Sequence, residues 1–169
     1  ERILKEGLQL YKGDKDMLQN LANLYLIASN LEKAKATYDT LATNPAHKIS
    51  ALNGLALVSH LDGKEKDALN TSEKAYRSLK NTTNIKLSQQ TQERYVQALI
   101  WNKKYKAASN LINNLVTKNP NENWVLALRA TLNVYKSDFK NSLTDYQQII
   151  VNDSSSFDGN LGKANVLKA

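Results

Sequence analysis

Small side chains recur along this chain at intervals that repeat. Ala22, Ala56, Val96, Ala130 and Ala164 are separated by 34, 40, 34 and 34 residues. A second series runs twelve residues behind the first with the same intervals, and its members are Ala34, Ala68, Ala108 and Ser142. Two interlocked series of one period indicate a repeated helix–turn–helix unit, in which each unit buries its apolar face against its neighbours. The chain is therefore expected to be a stacked all-α array.

The apolar pattern divides the chain into repeated units, each with a first helix, which we call helix A, and a second, helix B. We expect four full units near 15–48, 49–88, 89–122 and 123–156, with partial units at 1–14 and 157–169. The single interval of 40 indicates six extra residues, placed at the polar run 81–84, which is a candidate functional loop. Because the last residues still follow a helical pattern, we expect the sequence to be a fragment of a longer protein.

The small positions have a packing role. Alanine at these positions lets helix A approach helix B of its own unit closely, as helix contacts at about 8–10 Å require. Tyr38, Ile112 and Tyr146 are then expected to fill the gap between one unit and the next.

The composition and motifs of this segment argue against a catalytic or metal site within it. The chain has no cysteine and only two histidines, His47 and His60, so no metal site is expected. It has neither a glycine-rich phosphate loop nor a nucleophile elbow, and no apolar run long enough to span a membrane. The net charge of +7 favours acidic partners, although lysines and acids alternate at 64–67, which is typical of a solvated helix face. We predict a protein that is not an enzyme and that needs no cofactor.

The first unit resembles the tetratricopeptide repeat (TPR) family in its spacing of apolar, small and aromatic residues. The matching residues are Leu18, Leu21, Ala22, Tyr25, Ala34, Tyr38, Leu41 and Pro45, and the third unit matches through Tyr105, Ala108, Ile112, Leu115 and Pro120. The resemblance implies an α-solenoid, a right-handed superhelix of stacked hairpins.

The same resemblance implies a concave groove lined chiefly by helix A. Transferred by register, the groove row is Asp16, Gln19, Asn23, Leu26, Ser50, Asn53, Leu57, His60, Gln90, Glu93, Gln97, Ile100, Trp124, Ala127, Thr131 and Val134. The predicted site residues taken from this row are Gln19, Asn23, Asn53, Leu57, His60, Glu93, Gln97, Trp124 and Thr131. Trp101 is added to them, and both tryptophans are candidate anchors for a peptide or a sugar, with packing between the third and fourth units as the alternative. The implied function is a non-catalytic scaffold that binds a partner protein or peptide.

Two further hypotheses concern the setting of this scaffold. Residues 127–150 and 161–164 resemble repeats of bacterial outer-membrane polysaccharide exporters. This resemblance favours the periplasm over the cytoplasm as the location and a role in envelope assembly or export. It also implies a polysaccharide as a second class of partner. The alternative is a substrate-positioning arm of an enzyme whose catalytic domain lies elsewhere. Nucleic acid is not expected, because the helix A row is acidic or amide at Asp16, Asn53 and Glu93.

Overall fold

The protein is a succession of antiparallel helical hairpins, seen in a computed structural model that describes Arg2, Glu6 and residues 14–168. The helices are α1 (Lys15–Ile27), α2 (Leu31–Ala42), α3 (Lys48–Leu61), α4 (Glu65–Arg77), α5 (Ile85–Trp101), α6 (Tyr105–Lys118), α7 (Asn123–Tyr135), α8 (Phe139–Asn152) and α9 (Phe157–Lys168). A short 3-10 turn, Ser78–Asn81, follows α4, and the described residues contain no strand. The predicted all-α class is confirmed. Most of the partial unit expected at 1–14 lies outside the described residues.

The turns between helix A and helix B have the same backbone conformation in every unit. Each turn has one residue in the left-handed conformation, and these residues are Ser29, Gly63, Lys103 and Ser137, with φ of 56°, 72°, 57° and 60°. The next residue donates its N–H back to a carbonyl near the end of helix A, as Asn30 does to Tyr25 at 2.8 Å and Asp138 does to Asn133 at 2.8 Å. This closure satisfies helix-end carbonyls that would otherwise lack partners.

The predicted small positions lie in the helix contacts. Ala22, Ala56, Val96 and Ala130 are all fully buried, and so are the members of the second series, Ala34, Ala68, Ala108 and Ser142. Ala164 differs from this expectation because it is exposed in α9. Among the described residues, no helix B follows α9.

The gap-filling aromatics meet glycines on the next helix A. Tyr38 on α2 is 2% exposed, and its ring lies directly against Gly54 on α3. Tyr146 on α8 lies against Gly162 on α9 in the same way, and in both pairs the glycine follows the tyrosine by sixteen residues. The predicted packing role of Tyr38, Ile112 and Tyr146 fits their burial, at 2%, 1% and 8% exposed.

The structure separates into two compact units, residues 1–98 and 99–169. The core of the first includes Leu21, Tyr25, Tyr38 and Leu41, and the core of the second includes Leu126, Tyr146 and Ile149. The boundary falls within α5, so the single array of units expected from the sequence stays a prediction.

The six extra residues are shared between a connection and a helix. Residues 78–84 connect α4 to α5, and α5 has 17 residues where α1 and α3 have 13 and 14. Helix A of the third unit therefore begins earlier in its repeat than the other A helices.

Candidate functional site

The first compact unit contains a cavity of about 660 Å³ that is bounded mainly by its three A helices. Its walls are formed by Gln19, Asn23, Leu26, Ile27, Tyr38, Ser50, Asn53, Gly54, Leu57, Gln90, Glu93, Arg94 and Gln97. All but Tyr38 lie on α1, α3 or α5. Because helix A presents the same face in each repeat, equivalent register positions of successive units face the same cavity.

Six of the ten predicted site residues line this cavity. They are Gln19, Asn23, Asn53, Leu57, Glu93 and Gln97. Ile27, Tyr38, Gly54 and Arg94 also line it, and the sequence pattern does not predict them there. Tyr38 was predicted to have a packing role alone. The signal in the sequence was Gly54, because a glycine within a helix often marks a close approach by a neighbouring side chain.

One wall is held by a short chain of hydrogen bonds. The Tyr38 hydroxyl donates to Oδ1 of Asn23 at 2.6 Å, and Nε2 of Gln19 donates to the same oxygen at 3.3 Å. The Ser50 hydroxyl has two acceptors within reach, Oε1 of Gln19 at 3.0 Å and the carbonyl oxygen of His47 at 2.8 Å. Burial raises the pKa of Tyr38 to about 12, so its hydroxyl remains a donor even at a pH where an exposed tyrosine ionises. With two donors on its oxygen, the Asn23 amide has a fixed orientation.

The Asn53 side chain brings a buried acceptor to the cavity. Its Nδ2 donates to Oγ1 of Thr91 at 2.8 Å, and Thr91 in turn donates to the carbonyl of Leu87 at 2.7 Å. Its Oδ1 is buried and accepts no hydrogen bond from any residue that the structure describes. A buried carbonyl oxygen without a donor is unfavourable by about 1–3 kcal/mol, and this atom is itself inaccessible, so a ligand in the cavity reaches it only if the Asn53 side chain turns.

A cation and an anion, adjacent on α5, also line the cavity. Nη1 of Arg94 donates to Oε1 of Gln97 at 3.0 Å, and Oε1 of Glu93 accepts from Nε2 of Gln89 at 2.9 Å. Burial lowers the pKa of Arg94, while the neighbouring Glu93 opposes that shift. The Arg94 guanidinium nevertheless keeps its charge at neutral pH. It lies among carboxamides in a largely buried part of the cavity wall.

The other four predicted residues do not line this cavity. His60 ends up beside Glu65, with Nδ1 2.8 Å from its Oε1. The remaining three belong to the second compact unit, where Trp101 ends α5 and Trp124 and Thr131 lie on α7. Both tryptophans are half-buried, and Oγ1 of Thr131 is 3.5 Å from the Tyr146 hydroxyl.

The second unit has a polar cleft of its own. Arg129 forms a bidentate pair with Asp145, from Nε to Oδ2 at 3.0 Å and from Nη2 to Oδ1 at 2.6 Å. The Asp145 side chain is 6% exposed and that of Arg129 is 37% exposed. Arg129 stands at the register position that Leu21 occupies in the first unit, so an ion pair here replaces an apolar contact.

Neither a metal centre nor a membrane span is seen in the described part of the chain. No group of three His, Cys, Asp or Glu side chains is close enough there to hold a metal ion. No helix formed by the described residues is long and apolar enough to cross a bilayer.

The hairpins, their common period and the buried small residues define a helical-repeat protein of the α-solenoid class. No family model matches the sequence, and no curated protein matches it. Solved structures do match, and their common class is the tetratricopeptide repeat.

Three of these structures illustrate the likeness. A TPR protein of Thermus thermophilus has a TM-score of 0.80 at 13% identity, covering 99% of this chain and 89% of that one. YrrB, a TPR protein with an unusual peptide-binding site, has a TM-score of 0.61 at 19% identity, covering 98% and 82%. A TPR protein of Parabacteroides merdae has a TM-score of 0.63 at 18% identity, covering 91% of this chain and 59% of that protein's length. The chain thus has the tetratricopeptide repeat fold, as its sequence pattern predicts.

Proposed function

We propose that the protein is a non-catalytic interaction scaffold, and that the cavity of its first unit binds an extended segment of a partner protein. The observation that carries this proposal is the composition of the wall, where five carboxamides face one space. They are Gln19, Asn23, Asn53, Gln90 and Gln97. Repeat folds commonly use surfaces of this kind for binding.

Carboxamides suit a peptide backbone because each offers both a donor and an acceptor. An extended peptide presents N–H and C=O groups that have no partners within their own chain. Of the five carboxamides, Asn23 and Gln90 are exposed and therefore accessible to such a peptide. Leu26 and Leu57 add apolar contacts in the same cavity, so the site provides for side chains as well as for the main chain. YrrB, which shares the fold, has a peptide-binding site in its own right.

The proposal is tested with a displayed library of random peptides. Wild type is expected to enrich a related set of sequences, and Gln90→Lys is expected to lose that enrichment because Gln90 is exposed within the cavity. The matched control is Asn70→Lys, which places the same new charge on an exposed position of α4 outside the cavity. Loss of enrichment by both variants, or by neither, would show that the cavity is not the binding surface.

A second measurement separates backbone recognition from nonspecific capture. For a peptide enriched by wild type, Gln90→Leu is expected to weaken binding by about tenfold, because a hydrogen bond between its carboxamide and the peptide is lost. Methylating successive backbone nitrogens of the same peptide should produce a comparable loss at one position. Equal affinity of every methylated peptide would contradict recognition of the main chain.

The bacterial envelope setting is part of the proposal and rests on the sequence. The lysine- and asparagine-rich composition and the resemblance of residues 127–150 to polysaccharide-exporter repeats support it. Fractionation of native cells with an antibody to this segment tests it. Recovery of the protein with the periplasmic or membrane fraction is expected, and recovery with the cytosol alone would rule the envelope setting out.

A further inference from the structure

The second compact unit carries lysines and aromatic side chains together at the tips of its two A–B turns. These turns are residues 101–107 and 135–141, and we refer to them as the basic turn edge. The lysines are Lys103, Lys104, Lys106, Lys136 and Lys140, all of them exposed. The aromatic residues are Trp101, Tyr105, Tyr135 and Phe139.

The two turns lie at the same end of the unit. Helices α6 and α7 pack against each other and are joined by the short connection 119–122, so they run antiparallel. The start of α6 at Tyr105 is therefore beside the end of α7 at Tyr135.

The charge of this edge is not a general property of the repeat. Its two turns hold five lysines and one carboxylate, Asp138, whereas the corresponding turns of the first unit, 27–33 and 61–67, hold three lysines and four carboxylates. Asp138 is committed to capping α8, accepting from the backbone N–H of Asn141 at 3.3 Å and from its Nδ2 at 2.7 Å. Among the described residues, none of the five lysines forms an ion pair, although Lys136 and Lys140 are close enough to interact electrostatically with Asp138.

Three of the five lysines lie at helix N-termini. Lys104 is the N-cap of α6, and Lys106 and Lys140 are each the second residue of their helices. The N-terminus of a helix carries partial positive charge, so cations there oppose the helix dipole. The first unit has lysines at the same positions of α4, but Glu65 and Asp67 accompany them in its first turn, whereas the first turns of α6 and α8 contain no acidic residue.

The aromatic residues favour a lipid surface as that partner. Tyr135 is 50% exposed and Phe139 is 37% exposed, and Trp and Tyr beside lysine are the residue types that proteins place at a membrane interface. The cavity of the first unit and the clefts of the second are lined by residues outside these turns, apart from Asn141 at the very end of one of them. Single-stranded nucleic acid binds in a groove with open aromatic faces, whereas these turn tips suit a planar array of headgroups.

We propose that the basic turn edge docks the protein peripherally on an anionic lipid surface. The lysines contact the headgroups, and Tyr135 and Phe139 enter the interfacial layer. This docking uses turns that do not contribute to the cavity of the first unit, and it does not depend on the peptide binding proposed above.

The test is co-sedimentation with vesicles of phosphatidylcholine containing about one quarter phosphatidylglycerol. Each lysine near an anionic surface strengthens partitioning by about fivefold, so replacing Lys103, Lys104 and Lys136 with Gln is expected to weaken it roughly a hundredfold. The matched control replaces Lys48, Lys66 and Lys80, three exposed lysines of the first unit, with Gln and should bind like wild type. Equal loss by the two triple variants would overturn the proposal.

Two further readouts decide the nature of the surface. In a Trp124→Phe background, lipids brominated near the headgroup should quench Trp101 fluorescence, and absence of quenching with bound protein would contradict interfacial docking. Tyr135→Ser together with Phe139→Ser should weaken vesicle binding while leaving its salt dependence in place. If the protein instead binds single-stranded RNA or an acidic polypeptide through these lysines and ignores the vesicles, the lipid proposal is wrong.

Discussion

Replacing Gly54 with alanine tests the packing on which both the fold and the cavity depend. A Cβ added at Gly54 would overlap the Tyr38 ring atoms Cε1, Cζ and Cδ1. Tyr38 is 2% exposed, and its hydroxyl is fixed by the 2.6 Å hydrogen bond to Asn23. The ring therefore cannot move aside without disturbing the cavity wall.

The expected change in the free energy of unfolding follows from three contributions. Overpacking a core by one methyl group destabilises by about 1–3 kcal/mol. Displacing the tyrosine removes its hydrogen bond to Asn23, at about 1 kcal/mol, while alanine is better than glycine in a helix by about 1 kcal/mol. We expect Gly54→Ala to be less stable than wild type by about 1–3 kcal/mol, because the last two contributions roughly cancel.

A double-mutant cycle with Tyr38→Leu isolates the contact. With leucine at position 38 the overlap is removed, so adding Gly54→Ala should be neutral or stabilising by about 1 kcal/mol. Urea unfolding followed by circular dichroism gives the four free energies. If Gly54→Ala is as stable as wild type in the Tyr38 background, the inferred overlap does not limit this contact and the reasoning fails.

Three other predictions concern single contacts. Arg129→Met should destabilise the protein by about 3 kcal/mol, because it leaves the buried Asp145 carboxylate without its ion pair. Adding Asp145→Leu to the same chain should restore most of the lost stability. Chemical unfolding in which the double variant shows no recovery would contradict this prediction. The pKa of Tyr38 is raised from 10.0 to about 12, so its contribution to the free energy of unfolding is fully present below pH 10. Between pH 10 and 12 the tyrosine ionises in the unfolded state but not in the folded state, and the free energy of unfolding falls by up to about 3 kcal/mol. The difference in urea midpoint between wild type and Tyr38→Phe across that range measures this effect, and a constant difference would refute it. Ser29→Gly and Ser137→Gly should each stabilise by about 0.5–1 kcal/mol because both positions have positive φ, and thermal scans that show lower melting temperatures would contradict the assigned turn geometry.

The sequence was sufficient for the fold because the repeat constrains every unit in the same way. The 34-residue interval recurs in the left-handed turn residues, from Ser29 to Gly63 and from Lys103 to Ser137. A single unit would have left these helix ends ambiguous. The interval of 40 indicated the number of extra residues but not their division between the 78–84 connection and α5, since that depends on where a helix can start.

The site was predictable only in part, for a reason that lies in packing. Helix A residues such as Gln19 and Asn53 fall on one face by periodicity alone. Tyr38 and Arg94 instead occupy positions that the pattern assigns to contacts between helices. Whether such a position also borders a cavity depends on the volume of the residue packed opposite it on the neighbouring helix, as Gly54 shows for Tyr38. Periodicity identifies the face of a helix on which a residue lies, but it does not identify the size of its partner on the next helix.

The same pairing accounts for the charge in the cavity. In the register of the repeat, the pair Tyr38 and Gly54 corresponds in the next unit to Ser72 and Arg94, once the six extra residues are counted. Ser72 is fully buried, and a serine in place of tyrosine leaves room for a longer residue at the position of the glycine. Arg94 takes that position, and its guanidinium reaches Gln97 in the wall of the cavity. A departure from the repeat pattern at a packing position thus supplies the one arginine among the residues that line this cavity.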